Sequence, residues 1–320
     1  MNDLSPPDSL ICPARDIFDQ DTIDQALALA FEGCADDKAI RAATVQVLSD
    51  TQKAGRQAIK DAFVADPFAA RPTTRAYSWL TDQLVKTVLG VAKNKLHRLP
   101  NPTDSERLSV IAVGGYGRGE MAPFSDVDLL FLMPYKMTPW AESVIESTLY
   151  MLWDLKLKVG HASRTIKDCI RLAREDYTIR TTLVEKRFLF GDESLAQDLG
   201  QQLWNDLFSS TATEFIDAKL EERVERHRKQ GGQRYVVEPN VKEGKGGLRD
   251  LQSMYWINKY VHDVQDAEDL IKFDVFSEDE YETFQEAHSF LWAVRCALHL
   301  TANRAVEQLT FDMQVAVAEM

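Results

Sequence analysis

The most informative stretch of this 320-residue sequence reads IAVGGYGRGEMAPFSDVDLLFL and covers residues 111–132. It begins within an apolar run at 108–113 that stops at Gly114 and Gly115, which predicts a buried strand entering a tight turn. A second apolar run at 127–133 predicts another buried strand. The stretch therefore predicts a strand, a glycine-rich turn, a loop and a second strand in succession.

Asp126 and Asp128 stand where this loop meets the second strand. Side chains two positions apart on a strand face the same way, so the two carboxylates are expected to converge. Adjacent carboxylates are unfavourable unless a cation lies between them, and Mg²⁺ is a hard ion that takes carboxylates together with substrate phosphates. The pattern predicts a magnesium site, with Gly114 and Gly115 letting backbone N–H groups approach a triphosphate.

Three other interpretations fit the stretch less well. A dinucleotide-binding fingerprint, Gly117-x-Gly119-x-x-Ala122, requires a helix at the glycines, whereas Pro123 and a strand follow here. A Walker A loop requires Lys where this sequence has Glu120. A lone Asp-x-Asp is often only a cap between a loop and a strand, but the Asp128 carboxylate falls inside an apolar run, where it is costly without a partner.

The overall composition predicts a globular protein of roughly two domains, because 45% of its residues are hydrophobic and 27% are charged. Its formal net charge of −13 argues against general binding of nucleic acid or of an anionic membrane. The four cysteines lack the spacing of a zinc site, and no apolar stretch is long enough to span a bilayer. With no signal-peptide pattern at the start, we expect a cytoplasmic location.

Charge is unevenly distributed along the chain. Residues 156–190 carry nine Lys/Arg against four acids, and residues 219–249 carry nine against five, whereas both ends of the chain are acidic. Basic runs are usually solvated faces. Two of them near the glycine-rich stretches make a polyanion such as a nucleoside triphosphate a more plausible ligand.

Periodicity and punctuation give a coarse outline of the remaining elements. Helices are predicted over 22–64, 68–99, 139–156, much of 165–230, 248–261 and 278–304, with a third short strand at 157–161 and an extended stretch at 234–239. The order is helices, a small β-containing core, and helices again, which predicts an α+β fold. We expect an N-terminal helical extension at 1–66, a central domain at 67–192 and an all-helical domain at 193–320.

These motifs resemble known ones. Gly-Gly, a ten-residue spacer and alternating Asp and apolar residues resemble the active-site signature of the polymerase-β-like nucleotidyltransferase superfamily. Residues 114–132, LWDLKLKVGHASRT at 152–165, VEPNVKEGKGGLRDLQ at 237–252 and FLWAVRCALH at 290–299 resemble the bacterial PII uridylyltransferase/uridylyl-removing enzyme family. The resemblance runs from about residue 75 to residue 315.

The resemblance implies a small mixed β-sheet nucleotidyltransferase core flanked by helices. It also implies transfer of UMP from UTP to a tyrosine of the PII nitrogen-regulatory protein, with release of pyrophosphate and with Mg²⁺ held by Asp126 and Asp128. No membrane or nucleic-acid partner is implied. The nucleotide-binding residues would be Gly114, Gly115, Arg118, Gly119, Ser125, Lys242, Gly246, Gly247 and Arg249.

Two of these assignments have alternatives. Arg118 is either a phosphate clamp or a solvated loop arginine. The basic turn before the helix at 248–261 is a ready anion site at a helix N-terminus or simply a surface turn in which Asp250 pairs with Arg249. Many nucleotidyltransferases have a third carboxylate on a later strand, where residues 159–162 offer none; Glu238 and Asp250 are the substitutes.

The function also has alternatives at this level. The nearest is an adenylyltransferase of the same superfamily acting on glutamine synthetase, and the other is a catalytically silent nucleotide-binding module. The full-length family continues into HD and ACT domains, which we do not expect within these 320 residues. His262 and Asp263 are interpreted as the end of a helix and not as part of an HD metal site.

Overall fold

The computed structural model describes residues 9–232, 235–263 and 269–320. It has four strands, β1 (Ser109–Ala112), β2 (Val127–Met133), β3 (Val159–Thr165) and β4 (Arg187–Gly191). The helices before β2 are α1 (Ala14–Ile17), α2 (Gln20–Phe31), α3 (Asp37–Ala65), α4 (Ala70–Val91) and α5 (Gly114–Gly117). Those after β2 are α6 (Pro139–Asp154), α7 (Ile166–Glu175), α8 (Tyr177–Val184), α9 (Glu193–Asp206), α10 (Ala212–Lys229), α11 (Leu248–His262), α12 (Asp269–Lys272), α13 (Glu278–Ala302) and α14 (Phe311–Ala318).

The four strands form one mixed sheet in the order β3-β2-β1-β4. β1 pairs antiparallel with both β2 and β4, whereas β2 pairs parallel with β3 through the α6 crossover. The register places Asp128 of β2 opposite Gly160 of β3. A small mixed sheet surrounded by helices confirms the predicted α+β class.

Helices cover both faces of this sheet, so β2 is buried on both sides. Leu129 and Phe131 point into a hydrophobic cluster with α4 and α6, which also takes in residues of α2 and α3. Leu130 and Leu132 point the other way, into a cluster with α7, α9 and α11. Alternation along one apolar strand therefore ties the N-terminal helices to one face and the later helices to the other.

A third cluster joins parts of the chain that are far apart in sequence. Phe63 of α3, Leu248 at the start of α11 and Trp292 of α13 pack together around Ala122, in the loop before β2. This cluster brings the N-terminal and C-terminal helices to the loop that carries Asp126.

The N-terminal helix predicted over 22–64 is two helices. Asp19 caps α2 by accepting a hydrogen bond from the backbone N–H of Thr22, and Asp36 caps α3 by accepting one from Ala39 at 2.8 Å. A second N-cap so soon after α2 allows the chain to turn and start again. The helix predicted over 68–99 is α4 followed by a π-helical turn at Ala92–Leu96.

Around the sheet, the predictions for β1 and β2 agree with the structure, and other details differ. The third strand, predicted at 157–161, runs over Val159–Thr165. β4 was missed, because RFLFG lies inside a region of helical pattern and is fixed as a strand only by pairing with β1. The tight turn predicted at the glycines is a single helical turn, α5.

In the C-terminal half, the helices α11 and α13 appear where they were predicted. α11 ends at His262, and Asp263 takes a left-handed conformation at its C-terminus, as expected for a helix end. The predicted extended stretch at 234–239 begins outside the described residues, and after it Asn240 forms an isolated bridge with Gln308. Within the described residues, no helix combines the length and the apolar character needed to cross a bilayer. The predicted domain boundaries at 66 and 192 stay predictions.

Gly55 of α3 tests the packing of the N-terminal helices. A Cβ there would collide with the carbonyl oxygen of Ile17 and come within 3.1 Å of Leu80 Cδ1. Gly55→Ala should lower the free energy of unfolding, because overpacking costs roughly 1–3 kcal/mol and exceeds the ~0.5–1 kcal/mol that Ala gains over Gly in a helix. Urea-unfolding midpoints provide the measurement.

Gly90→Ala in α4 is the matched control, because a Cβ at that position meets no atom within 4 Å. It should raise the midpoint slightly. Equal shifts of the midpoint in both variants would contradict the close packing of the Ile17 carbonyl oxygen against Gly55.

Candidate active site

A cleft of about 500 Å³ opens where the C-terminal helices meet the loop before β2. Eight of the residues predicted to bind metal or nucleotide line it: Gly114, Gly115, Arg118, Ser125, Asp126, Asp128, Lys242 and Arg249. The described residues that line the cleft do not include Gly119, Gly246 or Gly247. The cleft therefore joins the two glycine-rich motifs, which lie more than a hundred residues apart in the sequence.

The two aspartates sit at different depths. Asp126 precedes β2 and is exposed, whereas Asp128 lies on β2 and is half-buried. Burial raises the pKa of Asp128, the negative charge of Asp126 raises it further, and the cation of Lys242 opposes both. Burial and the like charge of Asp126 both disfavour the state in which the two carboxyl groups are ionised. A cation placed between the carboxylates would stabilise that state.

The Asp128 carboxylate lies between two glycines from the neighbouring strands. A Cβ built on Gly114, which follows β1, would lie 3.4 Å from Asp128 Oδ2, and one built on Gly160 of β3 would lie 2.5 Å from Oδ1. Gly114 also has a φ of +61°, which strains most side-chain-bearing residues. Gly160 therefore leaves space that the carboxylate occupies, whereas a Cβ at Gly114 would only make an ordinary contact with it.

Arg118 is enclosed by carboxylates. Its Nη1 donates to both oxygens of Glu185 at 2.5 and 2.6 Å, and its Nε donates to Glu120 at 3.0 Å. Burial alone would lower the pKa of Arg118, but Glu185 and Glu120 hold it above its usual range. Arg118 thus connects the loop after α5 to Glu185 at one side of the cleft. Its role as a phosphate clamp stays a prediction.

Ser125 and Gly119 contribute to the shape of the same loop. Ser125 Oγ accepts a hydrogen bond from the N–H of Ala122 at 2.9 Å, which closes the turn just before Asp126. Gly119 has a φ of +74°, a conformation that favours glycine, so its place in the loop has a structural reason.

The second glycine-rich motif folds back on itself. The Asn240 side chain accepts from the N–H groups of Lys242 and Glu243, and the N–H groups of Leu248 and Arg249 donate to loop carbonyls at 3.0 and 2.8 Å. These backbone donors at the start of α11 are therefore already engaged within the loop, and the expected anion site there stays a prediction. The motif reaches the cleft through the side chains of Lys242 and Arg249.

Gly246 and Gly247 serve this loop instead of facing the cleft. The Gly246 N–H donates to Asp250 Oδ2 at 2.8 Å. A Cβ on Gly247 would lie within 3.0 Å of three carbonyl oxygens, those of Val241, Gly244 and Lys242. Their assignment to nucleotide binding stays a prediction. In the structure, both glycines allow the close packing of the loop before α11.

Neither candidate for the third carboxylate lies in the cleft. The Asp250 carboxylate pairs with Arg226 and lies 2.9 Å from His227 Nε2. Burial opposes ionisation of Asp250, but the hydrogen bonds from the Gly246 N–H, His227 and Arg226 lower its pKa below the usual range. The Glu238 side chain accepts from the N–H of Phe311 at 2.9 Å, away from the aspartates. In the part of the chain that the structure describes, no group of three or more His, Cys, Asp or Glu residues forms a metal site.

The opposite wall of the cleft is cationic but paired. Arg295 of α13 donates to Glu307 at 2.7 and 2.9 Å, and Arg249 donates to Glu243 at 3.1 Å. Lys242 Nζ lies 4.0 Å from Glu307, and its pKa is lowered by burial and by the nearby Arg295. A negatively charged ligand in the cleft would relieve this crowding of cations.

Comparison with known proteins supports a common origin for this arrangement. A family model described as nucleotidyltransferase domain matches residues 98–188, and one described as GlnD PII-uridylyltransferase matches residues 214–320. The chain is 61% identical over 302 residues to a bifunctional uridylyltransferase/uridylyl-removing enzyme of Ruegeria pomeroyi, covering 94% of this chain and 33% of that protein. Proteins of the same description match in Cereibacter sphaeroides (58% over 311 residues, 97% of this chain and 33% of that protein) and Caulobacter vibrioides (48% over 291 residues, 91% and 31%).

The chain belongs to the PII uridylyltransferase/uridylyl-removing enzyme family. It spans about a third of the length of the curated relatives that it matches. The nucleotidyltransferase match covers β1, β2 and β3, and the uridylyltransferase match covers the loop that carries Lys242 and the helices that carry Arg249 and Arg295.

Several cleft residues were missed by the sequence reasoning. They are Lys158 just before β3, the threonines Thr178, Thr181 and Thr182 of α8, and Glu185, Lys219, Arg295, His299 and Glu307. Gly160 of β3 was also missed; it does not line the cleft but lies against the Asp128 carboxylate. A signal existed for some of them, because 152–165 and 290–299 resembled the family without receiving a role. For the threonines and Glu307, no motif in the sequence marked them.

Glu307 provides a pH test of the cationic wall. Burial opposes its ionisation, but contacts with His299 and Arg295 lower its pKa to about 2, below the usual value of 4.5. A carboxyl with a lowered pKa stabilises the fold above its unfolded pKa and loses that contribution as the pH falls through its folded pKa. The advantage of the native protein over Glu307→Gln should therefore be roughly 1–3 kcal/mol at pH 7 and shrink between about pH 4.5 and 2.

Chemical unfolding at a series of pH values measures this difference. Glu319→Gln, at an exposed carboxyl near the C-terminus, is the matched control and should show no such trend. An advantage for the native protein that stayed constant down to pH 2 would contradict the assignment.

Proposed function

We propose that this chain carries the uridylyltransferase activity of its family, in which UMP is transferred from UTP to a tyrosine of the PII regulatory protein and pyrophosphate is released. The observation that carries the proposal is the cleft that Asp126 and Asp128 share with Lys242, Arg249 and Arg295. The relatives are described as uridylyltransferases, which favours this activity over the adenylyltransferase alternative. PII, UTP and a cytoplasmic location are parts of the proposal.

The residues present fit a divalent cation such as Mg²⁺. Nucleotidyltransferase domains generally use a divalent metal. Asp126 and Asp128 supply two carboxylates, and the raised pKa of Asp128 indicates charge that a cation would compensate. Phosphate oxygens of the nucleotide would complete the coordination. When bound there, Mg²⁺ would neutralise phosphate charge and make the α-phosphorus more electrophilic.

The remaining groups hold and orient the nucleotide. Lys242 and Arg249 place positive charge opposite the aspartates, where the β- and γ-phosphates would lie. Gly114 and Gly115 allow the backbone of α5 to approach the phosphates closely. These fixed charges favour the negatively charged pyrophosphate that leaves the α-phosphorus.

The transfer itself requires no covalent enzyme intermediate. The tyrosyl oxygen of the acceptor forms a bond to the α-phosphorus while the bond to the bridging oxygen of pyrophosphate breaks, roughly in line. The protein contributes by positioning these groups and by placing its charges, and small displacements of Asp126 or Asp128 should therefore reduce the rate strongly.

Label transfer tests the proposal directly. The chain is incubated with Mg²⁺, PII protein and UTP or ATP labelled at the α-phosphate. We expect label on PII from UTP only, and Asp126→Asn or Asp128→Asn should reduce the rate at least ~100-fold, since loss of a metal ligand removes several kcal/mol of transition-state stabilisation.

Asp21→Asn, at an exposed aspartate in α2, is the matched control and should leave the rate unchanged. Transfer from ATP and not from UTP would refute the choice of nucleotide. Undiminished transfer by Asp126→Asn would refute the metal site.

Gly160 offers a second test, at a residue that bears no functional group. Its Cα faces Asp128 across the parallel pair, and a Cβ would lie 2.5 Å from Asp128 Oδ1. Gly160→Ala should therefore push the carboxylate out of place and reduce the maximal transfer rate by about 10²-fold, as a displacement near 1 Å does.

Gly90→Ala, where the added Cβ meets nothing, is again the control and should keep the full rate. Unfolding midpoints of both variants separate a local effect from loss of the fold. A normal rate in a folded Gly160→Ala variant would show that Asp128 does not depend on this space.

A further inference from the structure

The peptide group between Pro123 and Phe124 is held from both sides by residues outside the segment that matches the nucleotidyltransferase domain. It lies two residues before Asp126, in the loop between α5 and β2. Arg56 comes from α3, near the start of the chain, and His299 comes from α13, near its end. The matched segment covers residues 98–188 only.

Arg56 holds the carbonyl side of this peptide. Its Nη2 donates to the carbonyl oxygen of Pro123, and its guanidinium lies 4.9 Å from the centre of the Phe124 ring and 5.6 Å from that of Tyr77. Among the described residues, Arg56 makes no ion pair with a carboxylate. A half-buried arginine engaged by a carbonyl and two rings is held in a single orientation.

His299 holds the amide side of the same peptide. The N–H of Phe124 donates to His299 Nδ1 at 3.3 Å, and the imidazole is fully buried. Because Nδ1 is the acceptor, the ring proton of the neutral imidazole sits on Nε2, which lies 3.6 Å from Glu307 Oε1. Glu307 is held in turn by Arg295, which keeps a carboxylate beside the Nε2 edge of the imidazole.

A peptide group whose C=O and N–H are both held cannot rotate without losing both contacts. Asp126 follows by two residues, is exposed, and has little packing of its own, so its position depends on the loop that leads to it. The turn closed by Ser125 and Ala122 transmits the orientation of the peptide to Asp126.

We propose that Arg56 and His299 are positioning residues that fix the Pro123–Phe124 peptide and thereby place Asp126 for metal binding. Helices at both ends of the chain then control a catalytic carboxylate of the central domain. This inference rests on the proposed function where activity is concerned, but the clamp itself is a physical claim that can be measured separately.

Two substitutions of His299 separate positioning from simple packing. In His299→Asn the side-chain oxygen takes the place of Nδ1 and can still accept from Phe124, whereas in His299→Gln the amide reaches towards the Nε2 position. We expect amide hydrogen exchange of Phe124 to be about tenfold faster in His299→Gln and close to native in His299→Asn. The transfer rate should follow the same order, with about a tenfold loss in His299→Gln only.

The Mg²⁺ dependence gives a readout that general destabilisation would not move. In His299→Gln and in Arg56→Met, the Mg²⁺ concentration for half-maximal rate should rise several-fold, while KM for UTP changes little, because Asp126 is displaced and the cationic wall is not. Lys60→Met, on the exposed face of α3, is the matched control for Arg56 and should behave like the native chain.

The outcomes are distinguishable from failure of the proposed function. If the native chain transfers no UMP, Mn²⁺ affinity of the same variants replaces the rate, and the clamp is supported by weaker Mn²⁺ binding in His299→Gln and Arg56→Met. Native-like exchange at Phe124 in His299→Gln, or faster exchange with unchanged rate and metal affinity, would overturn the proposal. Equal losses in His299→Asn and His299→Gln would also overturn it, since packing alone would then explain them.

Discussion

The site is organised around the confinement of one carboxylate. Asp128 enters a half-buried position on a central strand, next to the charge of Asp126, and its carboxylate lies against Gly114 and Gly160. A side chain at Gly160 would compete for the space that the carboxylate occupies, and one at Gly114 would be strained by the positive φ there. The mixed sheet supplies this geometry directly, because Gly114 follows the antiparallel neighbour of β2 and Gly160 lies on the parallel one.

The rest of the cleft is built by helices that lie far from this sheet in sequence. The loop before α11, α11 itself and α13 bring Lys242, Arg249 and Arg295 to the same cleft as the aspartates, and the cluster around Ala122 packs α3 and α13 on the loop before β2. The sheet by itself would present the negative charge of the two aspartates without the basic residues that share their cleft. The catalytic arrangement is thus a property of the whole fold and not of the segment with the signature.

The sequence predicted the parts that depend on local pattern. β1 and β2 are apolar runs bounded by glycines and aspartates, and they appear nearly where expected. β4 was missed because only pairing with β1 makes it a strand, and Gly160 was missed because its role comes from register across a helical crossover. The anion site expected at α11 stays a prediction, and the hydrogen bonds that Asn240 makes in the loop before it were not visible in the sequence.

The charges of the cleft favour the nucleotide and the metal as a pair. Arg118, Arg249 and Arg295 are each matched by a carboxylate, so they keep their geometry without a ligand and little reorganisation is needed on binding. The half-buried cation of Lys242 lowers the pKa of Asp128 but does not outweigh burial and the charge of Asp126, which raise it. Under the proposed function, a triphosphate alone would repel the aspartates, whereas a divalent cation bound with it would offset their charge. This would give the carboxylates and the basic loop a common role in one cleft, although they come from distant parts of the chain.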